Sequence, residues 1–278
     1  MKTLMNFMFS LLTLAMMMSC QNSNNQTSTQ ENSTHNTSKS ETPSDSHHQD
    51  HHSDQTTSNF QIADYQHQSL PKSLFEGEEH WIEEMKKNDP NFFDKLALGQ
   101  SPKYLLIGCS DSRVPVAQLL GLKAGEIFVH RNIANLATVN DPSVNAVVEY
   151  AVDHLGIEHI IICGHTDCGG VKAALSHHDH GGLNSWLNEI RVTIDENAKE
   201  LSQIKDQKEL VDDLVRLNVL KQCQNLMKFS CVQKSWKQKG IPHIQGLIFD
   251  VATAKLTDLD VDNKELYQQI KFSSDIEL

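Results

Sequence analysis

The sequence predicts an α/β fold with a largely parallel sheet, and three observations carry that prediction. Short continuous apolar runs alternate with helical periods, the rhythm of βαβ units. Two of the runs end in glycine followed directly by Cys109 or His165. The alternation begins only after a long N-terminal stretch that holds no core-forming residue, so residues 60–278 read as one globular domain of ordinary size.

Tyr104-Leu105-Leu106-Ile107, ending at Gly108-Cys109, is a buried strand by its unbroken apolar character. Glu126 to His130 reads as a second strand. Asp141-Pro142 opens a helix, with Asp as N-cap and Pro at the first helical position. Its apolar residues Val144, Val147, Val148, Ala151, Val152 and Leu155 recur at steps of three and one, and Gly156 closes it. His159 to Cys163 is a third buried strand. Gly169 to Leu175 reads as a helix starting near Cys168. Helical periods continue through 184–203 and 208–238, and Ile244 to Val251 with Lys255 to Asp260 form a final strand pair.

Residues 1–20 have the order of an export signal: Lys2, an apolar run from Leu4 to Met18 broken by Asn6, Ser10 and Thr13, then Ser19-Cys20. That run is shorter than the roughly 20 apolar residues a membrane span needs. A small residue before Cys resembles the processing site of bacterial lipoproteins, which makes Cys20 the expected lipidation site and the protein an exported, membrane-anchored one, periplasmic or at the cell surface. Residues 21–59 contain no Ala, Val, Ile, Leu, Met, Phe, Trp, Tyr or Cys, so nothing there offsets ordering entropy and a disordered tether is expected. His47-His48-Gln49-Asp50-His51-His52 within it reads as solvated linker rather than a metal site.

Two islands carry the chemistry: Cys109-Ser110-Asp111-Ser112-Arg113, and Gly164-His165-Thr166-Asp167-Cys168-Gly169-Gly170. Two thiolates and an imidazole suit Zn²⁺. Three protein ligands leave its fourth position for water or substrate, the mark of a catalytic site. The expected nucleophile is therefore a zinc-bound water. Sites in open α/β sheets form beyond the carboxyl ends of strands, where Cys109, His165 and Cys168 fall. Cys163, inside a strand, reads as a small core residue. Cys223 and Cys231, eight apart on one expected helix, stand about 12 Å apart in rise, too far for a disulfide. Six cysteines thus divide into one anchor, two ligands and three thiols.

These islands, with Gly125-Glu126-Ile127-Phe128-Val129-His130-Arg131-Asn132-Ile133-Ala134-Asn135 between them, resemble the β-class carbonic anhydrases. The resemblance runs from about Phe75 to the C-terminus. It implies one zinc per chain on Cys109, His165 and Cys168, and Asp111 with Arg113 as the carboxylate–guanidinium pair beside the metal. It implies Gln100 as an amide reaching the substrate, Phe128, Ile133 and Tyr150 as pocket walls, and Gly169 as a backbone donor. The fold implied is a sheet of four parallel strands plus one antiparallel, flanked by helices. N-terminal helices, here from Leu74 to Leu98, embrace a dimer partner that shares the pocket. The reaction implied is reversible hydration of CO2 to bicarbonate and a proton. Some relatives also bind bicarbonate at an inhibitory pocket built from a Trp, an Arg and a Tyr. Leu106, Arg131 and Phe249 occupy those positions here, so an Asp111 that stays paired to Arg113 is expected.

A net charge of −12 argues against a nucleic-acid partner. The same scaffold could instead hydrolyse CS2 or COS. A lipid-anchored zinc-binding protein working through His47–His52 is the other alternative, though it would need neither Asp111, Arg113 nor Gln100.

Overall fold

The computed structural model describes residues 69–269. The expected signal, Cys20, the tether with its histidines, and residues 60–68 lie outside the described residues. No helix among the described residues is long and apolar enough to cross a membrane.

Five strands make one sheet: β1 (Tyr104–Cys109), β2 (Ile127–Asn132), β3 (His159–His165), β4 (His243–Phe249) and β5 (Leu256–Asp258), in the order β2-β1-β3-β4-β5. β1 to β4 run parallel and β5 antiparallel, as the resemblance implies. Side chains alternate between faces. The register therefore puts Leu105, Ile107, Ile160, Ile162 and Ile244 on one face. There they are buried with Val144 and Val148 of α4 (Pro142–Glu149), Val219 and Leu226 of α8 (Gln207–Leu226), and Val232 of α9 (Ser230–Lys239). Leu106, Ile161, Cys163 and Phe249 form a smaller cluster on the other face, with Val114 and with Val116 from the short α3 (Val116–Leu119). A third cluster joins α5 (Gly169–Leu175), α6 (Asn184–Glu196), α7 (Ala198–Leu201) and the first half of α8 to Cys109 and Cys168. Helix α10 (Asn263–Gln269) closes the described chain.

Glycine at two sheet positions lets α8 lie close. A methyl group at Gly164 would stand 2.5 Å from Val219 Cγ2, and one at Gly246 would stand 3.1 Å from Val219 Cγ1. Gly164→Ala is expected to destabilise the protein by about 1–3 kcal/mol through overpacking. Gly164→Ala should cost less in a Val219→Ala background than alone, read from denaturant midpoints of all four proteins; an equal cost would refute the contact.

Several boundaries differ from the sequence reading. β2 and β3 run two residues further than expected, so His165 is the last residue of β3, as Cys109 is of β1. Asp141 caps α4 by accepting from the Ser143 N–H, but after Glu149 the helix widens into a π turn over Tyr150–Leu155 before left-handed Gly156. The expected helix 208–238 is two helices. Phe229 adopts an extended conformation (φ −73°, ψ 125°), which turns the chain so that Met227 and Phe229 are both buried. Cys223 and Cys231 thus sit on different helices, both buried free thiols. The period 184–203 likewise breaks at Asn197, whose side chain donates to the Thr193 carbonyl.

At the N-terminus, α1 (Lys72–Asn88) and α2 (Phe92–Ala97) bury no residue completely within this chain. Leu74, Phe75 and Trp81 are exposed, and Trp81 meets Phe93 edge-on at 5.4 Å.

Candidate metal centre and active site

Cys109 ends β1, His165 ends β3, and Cys168 caps the start of α5, so three loops at the carboxyl edge of the sheet converge. The donor atoms of these three residues all lie within 4.8 Å of one another, and all three residues are buried. The two sulfurs are 4.0 Å apart. A tetrahedral ion with Zn–S bonds of about 2.3 Å would separate them by about 3.8 Å. His165 Nδ1 lies 2.9 Å from the Thr166 carbonyl and donates to it. That bond leaves the lone pair on Nε2, which is buried and has no hydrogen-bond partner among the described residues. A sulfur, a sulfur and an orphaned ring nitrogen at these separations fit a zinc ion.

The two sulfurs are electrostatically linked, and backbone donors face both. The hydrogen bond shared with the Cys168 sulfur pulls the Cys109 thiol down. Reciprocally, the bond to Cys109 and burial push the Cys168 thiol up. Backbone N–H groups of Asp111 and Ala134 face the first sulfur, and those of Val171 and Gly170 the second. Cys163 has no such donors, and burial pushes it up to about 12.

Asp111 Oδ2 stands 3.7 Å from His165 Nε2, at the mouth of the triad. Arg113 grips that carboxylate with Nε to Oδ1 at 2.9 Å and Nη2 to Oδ2 at 2.7 Å, while its backbone N–H donates to Oδ1. The guanidinium holds the Asp111 carboxyl well below the usual carboxylate range. Asp167, at a left-handed φ of 59°, completes the clamp by accepting from Arg113 Nη1 at 2.9 Å and Lys172 Nζ at 2.7 Å. The sequence reading gave Asp167 no role, although its place between His165 and Cys168 was the available signal.

The remaining expected site residues separate into two groups. Ile133 and Gly169 lie beside the triad: a methyl at Gly170 would stand 2.7 Å from Ile133 Cγ2, and the position where a Gly169 side chain would project is open. Phe128 and Tyr150 pair with each other at 5.9 Å, at the opposite end of the sheet, since Phe128 registers with Leu105 near the start of β1. Gln100 is exposed in the segment leading into β1, whereas Cys109 ends that strand. The five steps of β1 between Tyr104 and Cys109 span about 17 Å. Within one chain Gln100, Phe128 and Tyr150 therefore stand at the end of the sheet opposite the Cys–His–Cys donors.

Leu106 and Phe249 are both buried in one apolar cluster with Cys163. Arg131 donates from Nε to the Cys109 carbonyl at 2.8 Å and from Nη2 to the Asp111 carbonyl at 2.6 Å. Its guanidinium is engaged by backbone carbonyls of its own chain, and Leu and Phe stand where the resemblance would have an indole and a phenol. Bicarbonate inhibition is thus expected to be hyperbolic, with a Hill coefficient near one; a sigmoidal curve would contradict it.

Residues 104–256 match the family described as carbonic anhydrase. Over 201 residues the chain is 47% identical to the carbonic anhydrase of Emericella nidulans, which covers 72% of this chain and 88% of that protein. A tetrameric β-carbonic anhydrase of Sordaria macrospora superposes with a TM-score of 0.66 at 38% identity, over 68% of this chain and 96% of that one. The Coccomyxa β-carbonic anhydrase in complex with acetazolamide gives 0.66 at 36% identity, over 69% and 87%. Sequence, sheet order and the converging Cys–His–Cys donors agree: the chain belongs to the β-class carbonic anhydrases, a family of enzymes.

Proposed function

We propose that this protein catalyses the reversible hydration of CO2 to bicarbonate and a proton, with one zinc ion held by Cys109, His165 and Cys168. The observation that carries the reading is a donor triad sized for zinc with an ionised Asp111 clamped at its mouth. Zinc bound there would supply a Lewis acid that lowers the pKa of a water in its fourth position. Asp111 would accept a hydrogen bond from that water and fix its orientation toward CO2. Arg113, braced by Asp167, keeps the carboxylate charged and still. Ile133 supplies apolar wall beside the triad, and the Gly169 N–H a donor to the substrate oxygen.

Gln100, Phe128 and Tyr150 would reach the pocket from a second copy, because within one chain they stand at the end of the sheet opposite the donors. The exposed Leu74, Phe75 and Trp81 of α1 and Leu98 just after α2 support the same homodimer, on which larger assemblies can build. We also propose export and a membrane anchor at Cys20. Cys20→Ala should move the protein from the detergent phase to the aqueous phase or block its maturation; unchanged partitioning with a mature N-terminus elsewhere would refute the anchor.

Proton release on mixing the purified protein with CO2, alongside headspace consumption of COS and CS2, tests the function. Rapid CO2 hydration with little loss of either sulfur gas is expected. Fast consumption of COS or CS2 without hydration would transfer the assignment to that chemistry.

A further inference from the structure

The buried stripe of α8 carries three amides at steps of four and three: Asn218, Gln222 and Asn225, exposed by 1%, 1% and 7%. They form one directed chain of hydrogen bonds. Lys228 Nζ donates to Asn225 Oδ1 at 2.8 Å, and Asn225 Nδ2 to Gln222 Oε1 at 3.0 Å. Gln222 Nε2 donates to Asn218 Oδ1 at 3.0 Å, and Asn218 Nδ2 to the Ala134 carbonyl at 3.0 Å. Gln222 Oε1 also accepts from the Ala137 N–H at 2.9 Å. Buried amides that donate in one direction polarise one another, and each is fixed by the next.

The end of the chain is an unusual place. Ala134 (φ 63°) and Asn135 (φ 51°) are consecutive non-glycine residues in the left-handed region, a conformation held only where the surroundings impose it. Trp186 Nε1 donates to the Ile133 carbonyl at 2.9 Å, so the turn is tied on both sides of the Ala134 N–H. That N–H faces the Cys109 sulfur, and Ala134 and Cys109 are buried in the same cluster.

We infer that Asn218, oriented by Gln222, is a positioning residue for the metal centre: it holds the left-handed Ala134 turn whose N–H steadies the Cys109 sulfur. The inference deepens the zinc reading above and rests on it. The ladder's last bond joins residues 84 apart in sequence, so the ladder acts on a metal ligand it does not touch.

The test uses the full-length protein with zinc or cobalt(II). Asn218→Leu keeps the branched shape and removes both the donor to Ala134 and the acceptor from Gln222. It should speed zinc transfer to a chelator by about 10–100-fold, the usual scale for losing an outer partner of a ligand. It should also shift the sulfur-to-cobalt charge-transfer band. Gln222→Met should move both readouts in the same direction by less, and it decides alone if Asn218→Leu does not fold. Val232→Ala, in the core away from the triad, should lower the unfolding midpoint and leave zinc release and the cobalt band unchanged. If Asn218→Leu or Gln222→Met lowers the midpoint but keeps both metal readouts at the wild-type values, the ladder is only structural and the inference fails. If the wild-type protein binds neither metal at one per chain, the zinc reading itself falls, and this inference with it.

Discussion

Cys168→Ser is expected to lose most of its zinc on gel filtration and essentially all of its CO2 hydration activity. Cys168 supplies one of the three donors, and its sulfur also receives the N–H groups of Val171 and Gly170 at the head of α5. Zinc pulls a thiol into its thiolate form, whereas a serine hydroxyl does not ionise near neutrality and is a poor ligand. Losing even an outer partner of a ligand costs about 10–100-fold in metal affinity, so losing a ligand should exceed that. The far-ultraviolet circular dichroism should persist, because the sheet is held by apolar clusters on both faces. Zinc content measured with the rate decides the matter. A variant with full zinc and full rate would remove Cys168 from the centre.

Asp111→Asn separates orientation from metal binding. It should keep the zinc and lower the hydration rate by about 10²–10⁴-fold, the range for a group that manages a proton in the reaction. The carboxylate accepts from Arg113 at both oxygens, and an amide would set an NH2 against a guanidinium N–H. The loss should therefore be in the rate at saturating CO2. The sign of the pH effect follows from the same pair. Arg113 holds the Asp111 carboxyl below its ordinary value of about 4, so the carboxylate stays charged, and the pair intact, until the medium is more acidic than that. Asp111 should consequently contribute no rate loss between neutrality and about pH 5. Zinc loss in Asp111→Asn would make the residue a ligand instead.

The sheet and the donor triad were legible because their signals are local. Continuous apolar runs ending in Gly-Cys and Gly-His mark buried strands whose ends carry donors, and Asp141-Pro142 with Gly156 brackets a helix by capping chemistry alone. The corner at Met227–Phe229 was not legible, since apolar residues keep recurring across it and only burial of Phe229 shows that the chain turns. Asp167 lay inside the motif, but its partners Arg113 and Lys172 are set by a left-handed turn the sequence does not announce. Asn218 and Gln222 look like interruptions of an apolar stripe until the fold brings the Ala134 turn to them. Gln100, Phe128 and Tyr150 were expected with Ile133 in a pocket shared across a dimer. The structure shows why one chain cannot unite them: β1 lies between.

Chelated, metal-free protein titrated with zinc, with the CO2 hydration rate measured at each addition, tests the account most directly. The rate should rise linearly from near zero and reach its plateau at one zinc per chain. A rate independent of zinc, or a plateau only after a second equivalent, would contradict a single centre on Cys109, His165 and Cys168.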